Sequence, residues 1–527
     1  MRLESLGLPL AAIVWAASCT LDASGIKGSA GGSTSAGSGG GATSSVNTGG
    51  GGTTSTAQGG AGAGGGTGGD GGTGGIPCVP AAEDCATLDD ESCDGEGMCK
   101  GTLAWKVTFG SASFDEAQSV AVDSNGNSVV AGRFQSTITA AGINLTNQGG
   151  DDLFVVKLDP GGNPLWAFAY GDGAKQDQIR VAVDSNGNVL LTGRFEGAIA
   201  FEEIPLVQAG DGDIFVAKLD PAGASLWSKR FGSTGPDGGM GIAADSAGNI
   251  LITGYFGGIT AFEAISLSHA GGDDMFIAKL DPDGGVLWAK GAGDGAAQLG
   301  SAVAVNSDGE VAATGAFRGD IHFGGVTFTE QSANDAMFVV KLDASGNHQW
   351  STAFGGAALL DQNGQALAFD PQGNLIIASD FEGTTVVSGE TFVSNGLDDG
   401  LLIAFDDGGT YLWGRSFGSA QLDTPRGLAV DSLGQLAITG PAGGSFDLGD
   451  GPLPFGGDFD MFAAKLGPDP QAHRWSHAYG NNKFQLGTSV AFDKLGSAVV
   501  VGIFEGELDG SMSNGSAGDA FVMKFNP

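Results

Sequence analysis

From residue 101 onward the chain alternates short apolar stretches with polar turns, and no 3.6-residue helical pattern is sustained. One unit, residues 181–232, reads VAVDSNGNVLLTGRFEGAIAFEEIPLVQAGDGDIFVAKLDPAGASLWSKRFG. Its apolar segments VAV, VLLTGRF, IFVAKL and SLWSKRF predict four strands, termed a, b, c and d. Asp184-Ser185-Asn186-Gly187-Asn188 marks a tight turn between a and b, because Asp bonds its own backbone and Gly or Asn accepts positive φ. Asp220-Pro221-Ala222-Gly223 predicts a second such turn between c and d.

The unit recurs. Trp105, Trp166, Trp227, Trp288, Trp350, Trp413 and Trp475 are separated by 61, 61, 61, 62, 63 and 62 residues, each on a strand d. A fixed period of this length implies a repeat architecture, in which no single unit buries its apolar face alone. The repeats begin on a d strand around Trp105 and end on a c strand, Phe521 to Phe525, with no tryptophan after it. Pairing these two ends completes seven four-stranded blades and removes the exposed strand edges that invite aggregation. The expected fold is therefore all-β: a seven-bladed β-propeller, four antiparallel strands per blade, closed by the N-terminal strand pairing with the C-terminal blade. An open solenoid is the competing architecture, and it would orphan both end strands.

The recurring D-x-x-G-N, G-x-F-x-G, D-x-F-V-x-K-L-D and L-W-x-x-x-F-G elements resemble the seven-bladed propeller repeats (SBBP type) of secreted bacterial proteins. The resemblance spans Gly101 to Pro527 and concerns architecture. Departures fall at Asn306 and Glu310, at Ala404 in place of the repeated lysine, and at Gly440-Pro441-Ala442, which interrupts the strand b element. Blades four, five and six are expected to be the least regular.

Ahead of the repeats the composition changes three times. Residues 1–19 read as an export signal with an apolar run from Leu6 to Ala17, too short for a membrane span. The run ends in Ala16-Ala17-Ser18-Cys19, which resembles a bacterial lipobox; ordinary cleavage at small residues is the alternative. Residues 20–76 are nearly all Gly, Ser, Thr and Ala and cannot bury a core, so they predict a flexible tether about 40 Å from end to end. Residues 77–100 hold Cys78, Cys85, Cys93 and Cys99, expected as a disulfide-stapled acidic motif with three possible pairings. The fifth cysteine, Cys19, is then free for lipid attachment. Asp84, Asp89, Asp90 and Asp94 offer oxygen ligands for Ca²⁺ or simply form a solvated loop.

Sixty acidic against 23 basic residues give a net charge of −37, which excludes nucleic acid and anionic headgroups as ligands. Two acidic positions recur. Asp152, Asp213, Asp274, Asp399, Asp460 and Asp519 precede strand c, with Ala336 in the remaining blade and Asp335 beside it. Asp115, Asp177, Asp237, Asp361 and Asp423, with Gln298 and Gln485, precede strand a. Both sets belong to the face that carries the long b–c and d–a loops. They could bind Ca²⁺ or a cationic ligand, but their recurrence in nearly every blade favours the capping of strand ends that every blade needs. Lys157, Lys218, Lys279, Lys341, Lys465 and Lys524 recur in strand c and are expected to pair with acids between blades.

An enzyme should break the repeat, since catalysis needs unlike groups converging at one point, and no such break or catalytic motif is legible. His473 and His477 lie four apart on a strand, a spacing that does not bring side chains together. The sequence thus predicts a monomeric, lipid-tethered, extracytoplasmic propeller recognising a protein or glycan on its long-loop face. An extracellular lyase or hydrolase and a purely structural surface component are the alternatives.

Overall fold

The computed structural model describes residues 101–140, 142–330, 334–355, 361–515 and 517–527. The signal, tether and cysteine segments, with Cys19, Cys78, Cys85, Cys93, Cys99, Asp84, Asp89, Asp90 and Asp94, lie outside the described residues. Within them the chain forms seven four-stranded antiparallel sheets, the blades of a closed propeller. Blade one runs through Asp115–Val122 (a), Ser128–Phe134 (b), Asp152–Leu158 (c) and Pro164–Tyr170 (d), and the later blades repeat this order. Closure follows the predicted route. Leu103–Phe109 pairs with Asp519–Phe525, from Leu103 opposite Phe525 to Phe109 opposite Ala520, and so supplies strand d of blade seven.

Apolar residues of strands b and c fill the space between neighbouring blades. One such cluster joins Phe134, Phe154 and Val156 of blade one to Val499, Val501 and Val522 of blade seven. The tryptophan period has a direct cause. Trp166 Nε1 donates to the Pro221 carbonyl of the next blade at 3.1 Å, and Trp105, Trp227, Trp288 and Trp350 make the equivalent bond at 2.8–3.2 Å. Gly162 (φ 83°) sits against the Trp105 ring, where an added Cβ would lie 2.8 Å away, so this turn demands glycine twice over.

Three expectations need correction. Blades four and five are regular, with full-length strands Gln298–Val305 and Gln362–Phe369. Strand b of blade six, Leu436–Ala442, runs unbroken through Pro441, which pairs with Met461 and whose carbonyl accepts from Thr424 N. The shortened element is strand a, Gly427–Val430, because Pro425 falls where other a strands bulge. Thirdly, six of the b–c connections fold into small hairpins, such as Thr260–Phe262 with Ile265–Leu267. Phe262 stacks on Phe231 of the preceding blade at 4.8 Å, so these hairpins clamp outer strands together.

Candidate functional site

Every aspartate of the Asp152 set opens a strand c at the long-loop end, a different blade for each. The six are not brought together, and among the described residues no cluster of three or more His, Cys, Asp or Glu could hold a metal ion. In each, Oδ2 accepts a backbone N–H from the preceding loop, donated by Gln148, Ala209, Ala270, Asn395, Gly456 and Asn514 at 2.5–2.8 Å. Their Oδ1 atoms are buried and find no hydrogen-bond partner in the protein. Burial pushes Asp152 and Asp399 up to about 6, and raises Asp274, Asp460 and Asp519 as well.

Across each seam stands the first residue of the next strand a, or in blade six Asp423, which bridges to Ala442 ahead of the shortened strand. The structure corrects two assignments there. The residues in register are Gln176 and Gln362, and Asp177 and Asp361 each lie one position away. The registered set is thus Asp115, Gln176, Asp237, Gln298, Gln362, Asp423 and Gln485, all buried. Burial pushes Asp115 and Asp237 up to about 6 against the bonds from Ser111 and Ser233. A Cβ at Gly171 would lie 2.3 Å from Asp152 Oδ1 and 2.4 Å from Gln176 Oε1, so both oxygens face one small space.

The opposite face is built from the Asp–Gly–Asn turns. Asp184 Oδ1 accepts from Asn186 N and Asn188 N at 2.9 Å, while Oδ2 accepts from Asn188 Nδ2 at 2.8 Å. Lys218 Nζ completes the shell at 3.1 Å. Burial raises the Asp184 pKa, but the bonds from Asn188 and Lys218 prevail and hold it below the ordinary value. The ion pair lies within one blade, which corrects the expected interblade pairing. What crosses to the next blade is a bond from Lys218 Nζ to the Pro282 carbonyl, 3.2 Å. Blade four differs: Lys341 pairs with Glu310 of its own blade and with Asp407 of the next. His473 and His477 do not converge; one contacts Ser476 Oγ at 3.0 Å and the other the Gly101 carbonyl at 2.6 Å.

The repeat is broken on the axis, where the sequence reading found no break. The second to fifth residues of strand a line the central channel and its long-loop mouth, and they differ from blade to blade. Glu116 of blade one accepts from Arg133 Nε at 3.2 Å and Gln118 Nε2 at 3.1 Å, and Arg133 also reaches Asp151 at 3.0 Å. In blade two Gln178 takes φ 57°, and its Nε2 lies 3.4 Å from the Tyr255 hydroxyl. A positive φ in a residue other than glycine is strained backbone, a feature that clusters at working sites. In blade five the Asp380 carboxylate accepts from Gln365 Nε2 at 2.6 Å and Asn363 Nδ2 at 3.2 Å, and burial raises its pKa. Burial, then the charges of Asp380, Glu382 and Asp361, push the nearby Asp398 up to about 8. Deeper in the channel lie Arg180 and Arg426. A column-by-column comparison of the seven whole repeats would have exposed these positions.

A family model described as Beta-propeller repeat matches residues 226–255, from strand d of blade two to strand b of blade three. The fold is a β-propeller, and one of its repeats matches that model. An uncharacterized WD repeat-containing protein of Acanthamoeba polyphaga mimivirus is 23% identical, the match covering 76% of this chain and 36% of that protein. The Regulatory protein FlaEY of Caulobacter vibrioides is 27% identical over 45% of this chain and 24% of its own length. The chain therefore spans about a third and a quarter of these two relatives. Among solved structures, Sqt1 of Chaetomium thermophilum is similar with a TM-score of 0.39 and 11% identity, covering 80% of this chain and 97% of that one.

Proposed function

We propose that this propeller is an extracytoplasmic scaffold, tethered through Cys19, that captures a protein partner bearing a basic segment at its long-loop mouth. The observation that carries the reading is the unlike set of acidic groups, Glu116, Asp177, Asp380 and Asp398, on one face of an otherwise repetitive disc. Identical blades serve stability, whereas residues that differ between blades define one orientation for a partner. The net charge of −37 adds long-range attraction for a basic surface. The 23% identical WD repeat-containing relative fits a scaffold role.

A partner recovered by crosslinking from the envelope would be titrated against the purified chain over a range of salt. Binding should weaken as salt rises and fall at least tenfold in a Glu116→Gln, Asp380→Asn, Asp398→Asn variant. Asp283→Asn with Asp308→Asn, on exposed tight turns of the other face, should leave it intact. Equal loss in both variants, or loss only in the second, would overturn the assignment of the face.

A further inference from the structure

The last residue of strand d is aromatic in six blades: Phe109, Tyr170, Phe231, Phe354, Phe417 and Tyr479. In blade three, whose strand d runs Val286–Ala292, it is alanine. At the two preceding seams this ring packs on a phenylalanine from the b–c connection of the next blade. Tyr170 lies 4.5 Å from Phe201 and Phe231 lies 4.8 Å from Phe262, centroid to centroid. Phe201, Phe262 and Phe323 recur at 61-residue intervals, so Phe323 is the matching platform in blade four. The residue in register across that seam is Ala292.

Alanine leaves open the room that a ring takes at those seams. A cavity of about 460 Å³ stands there, with Ala292 and Phe323 in its wall and Met275, Ile277 and Leu342 as further apolar lining. Phe262 is fully buried and Phe201 nearly so, whereas Phe323 is only half-buried. Phe338 backs Phe323 at 5.1 Å, as Phe276 backs Phe262 at 5.1 Å, so the platform is held without its stacking partner. The rim carries Lys290, Asn347 and the imidazoles of His322 and His348. Asn347 Nδ2 donates to Asp343 at 2.9 Å, and the Lys290 charge acts on the same carboxylate, so both already serve the c–d turn. Burial, then the charge of His322, holds His348 below its ordinary pKa, so its ring is neutral at pH 7.

We infer that the cavity between Ala292 and Phe323 is a binding site for a small aromatic molecule of the phenol class, its ring stacked on Phe323. The fold itself shows what fits: two seams fill this place with a ring of the chain's own, at stacking distance from the same phenylalanine. The apolar wall suits the ring, and a neutral imidazole, with one donor and one acceptor nitrogen, suits an uncharged hydroxyl. The volume lies within the roughly 300–1,000 Å³ usual for ligand pockets. This site stands apart from the partner-binding mouth: it lies among the outer strands of blades three and four, and either reading can fail without the other.

Fluorine NMR of 4-fluorophenol with the purified full chain at pH 7 should show saturable, one-to-one binding. Cyclohexanol, which has the same size without the aromatic face, should compete about two- to tenfold more weakly than phenol. Phe323→Leu keeps apolar bulk at the platform and should weaken the probe by a similar factor. Ala292→Phe restores the ring that six other blades carry; it should abolish binding and raise the melting temperature of the free protein by about 1–2 °C. N-acetyltyrosinamide, which bears the ring on a peptide backbone, should bind more weakly than phenol. A crystal soaked with 4-bromophenol gives a readout independent of variant folding: the bromine should lie in the cavity between Ala292 and Phe323. Unsaturable binding, undiminished binding in Ala292→Phe, bromine found only elsewhere, or tighter binding of N-acetyltyrosinamide than of phenol would overturn the assignment.

Discussion

Changing Asp152 to Asn should stabilise the protein at neutral pH, although it alters a buried residue that recurs around the ring. Asp152 is 1% exposed, its Oδ1 has no partner, and burial lifts its pKa from 3.8 to about 6. The folded state therefore binds this proton more tightly than the unfolded state between pH 4 and 6. By linkage, stability falls as pH rises through that window and stays at the lower level above it. The shift corresponds to roughly 3 kcal/mol of unfavourable charge burial at pH 7. Asn keeps the oxygen that accepts from Gln148 N, removes the charge, and supplies an N–H toward the unpartnered Gln176 Oε1. The gain should reach up to ~3 kcal/mol at pH 7, or about 3 °C in melting temperature for a domain this large, and shrink toward zero near pH 4. Calorimetric melting of both proteins at pH 4, 5 and 7 measures it. A variant less stable at pH 7, or a difference independent of pH, would refute the reasoning.

Three further outcomes follow from the same structure. Lys218→Met strands the Asp184 carboxylate in a buried turn and should cost about 3–5 kcal/mol, read from urea unfolding at pH 7. Calcium should leave the melting temperature of the wild type and of an Asp213→Asn, Asp274→Asn variant equally unchanged, because among the described residues no three metal-ligating side chains gather at any seam; a calcium-dependent rise lost in the variant would show a cation site. Cys19→Ser should move the protein from the membrane fraction to the soluble fraction, and a variant that stays with the membrane would rule out the lipid tether.

The architecture was legible because it is written many times over. Five of the seven tryptophans bond the c–d turn of the next blade, so their spacing reports the blade itself, and the leftover strands at the two ends report closure. Residues that matter through difference were hidden by the same regularity. Arg180 stands where the other blades have serine, glycine or alanine, and Arg426 where they have glutamine, isoleucine, methionine, serine or threonine, and a reading tuned to what recurs passes over them. The Asp177 and Asp361 assignments slipped because an aspartate beside each registered glutamine mimicked the repeated acid. The b–c hairpins escaped since strands of two to four residues are too short to show alternation. Pro441 looked like an interruption because pairing partners are not visible in one dimension; its carbonyl still bonds and the strand continues.

Ring closure is the claim on which the rest depends, and removing residues 102–110 tests it most directly. That deletion takes away the strand that pairs with Asp519–Phe525 and leaves a buried strand as an open edge. Sedimentation and thermal melting of the shortened chain should show self-association and a melting temperature lowered by many degrees. A monodisperse protein with an unchanged melting curve would contradict the closed seven-bladed ring.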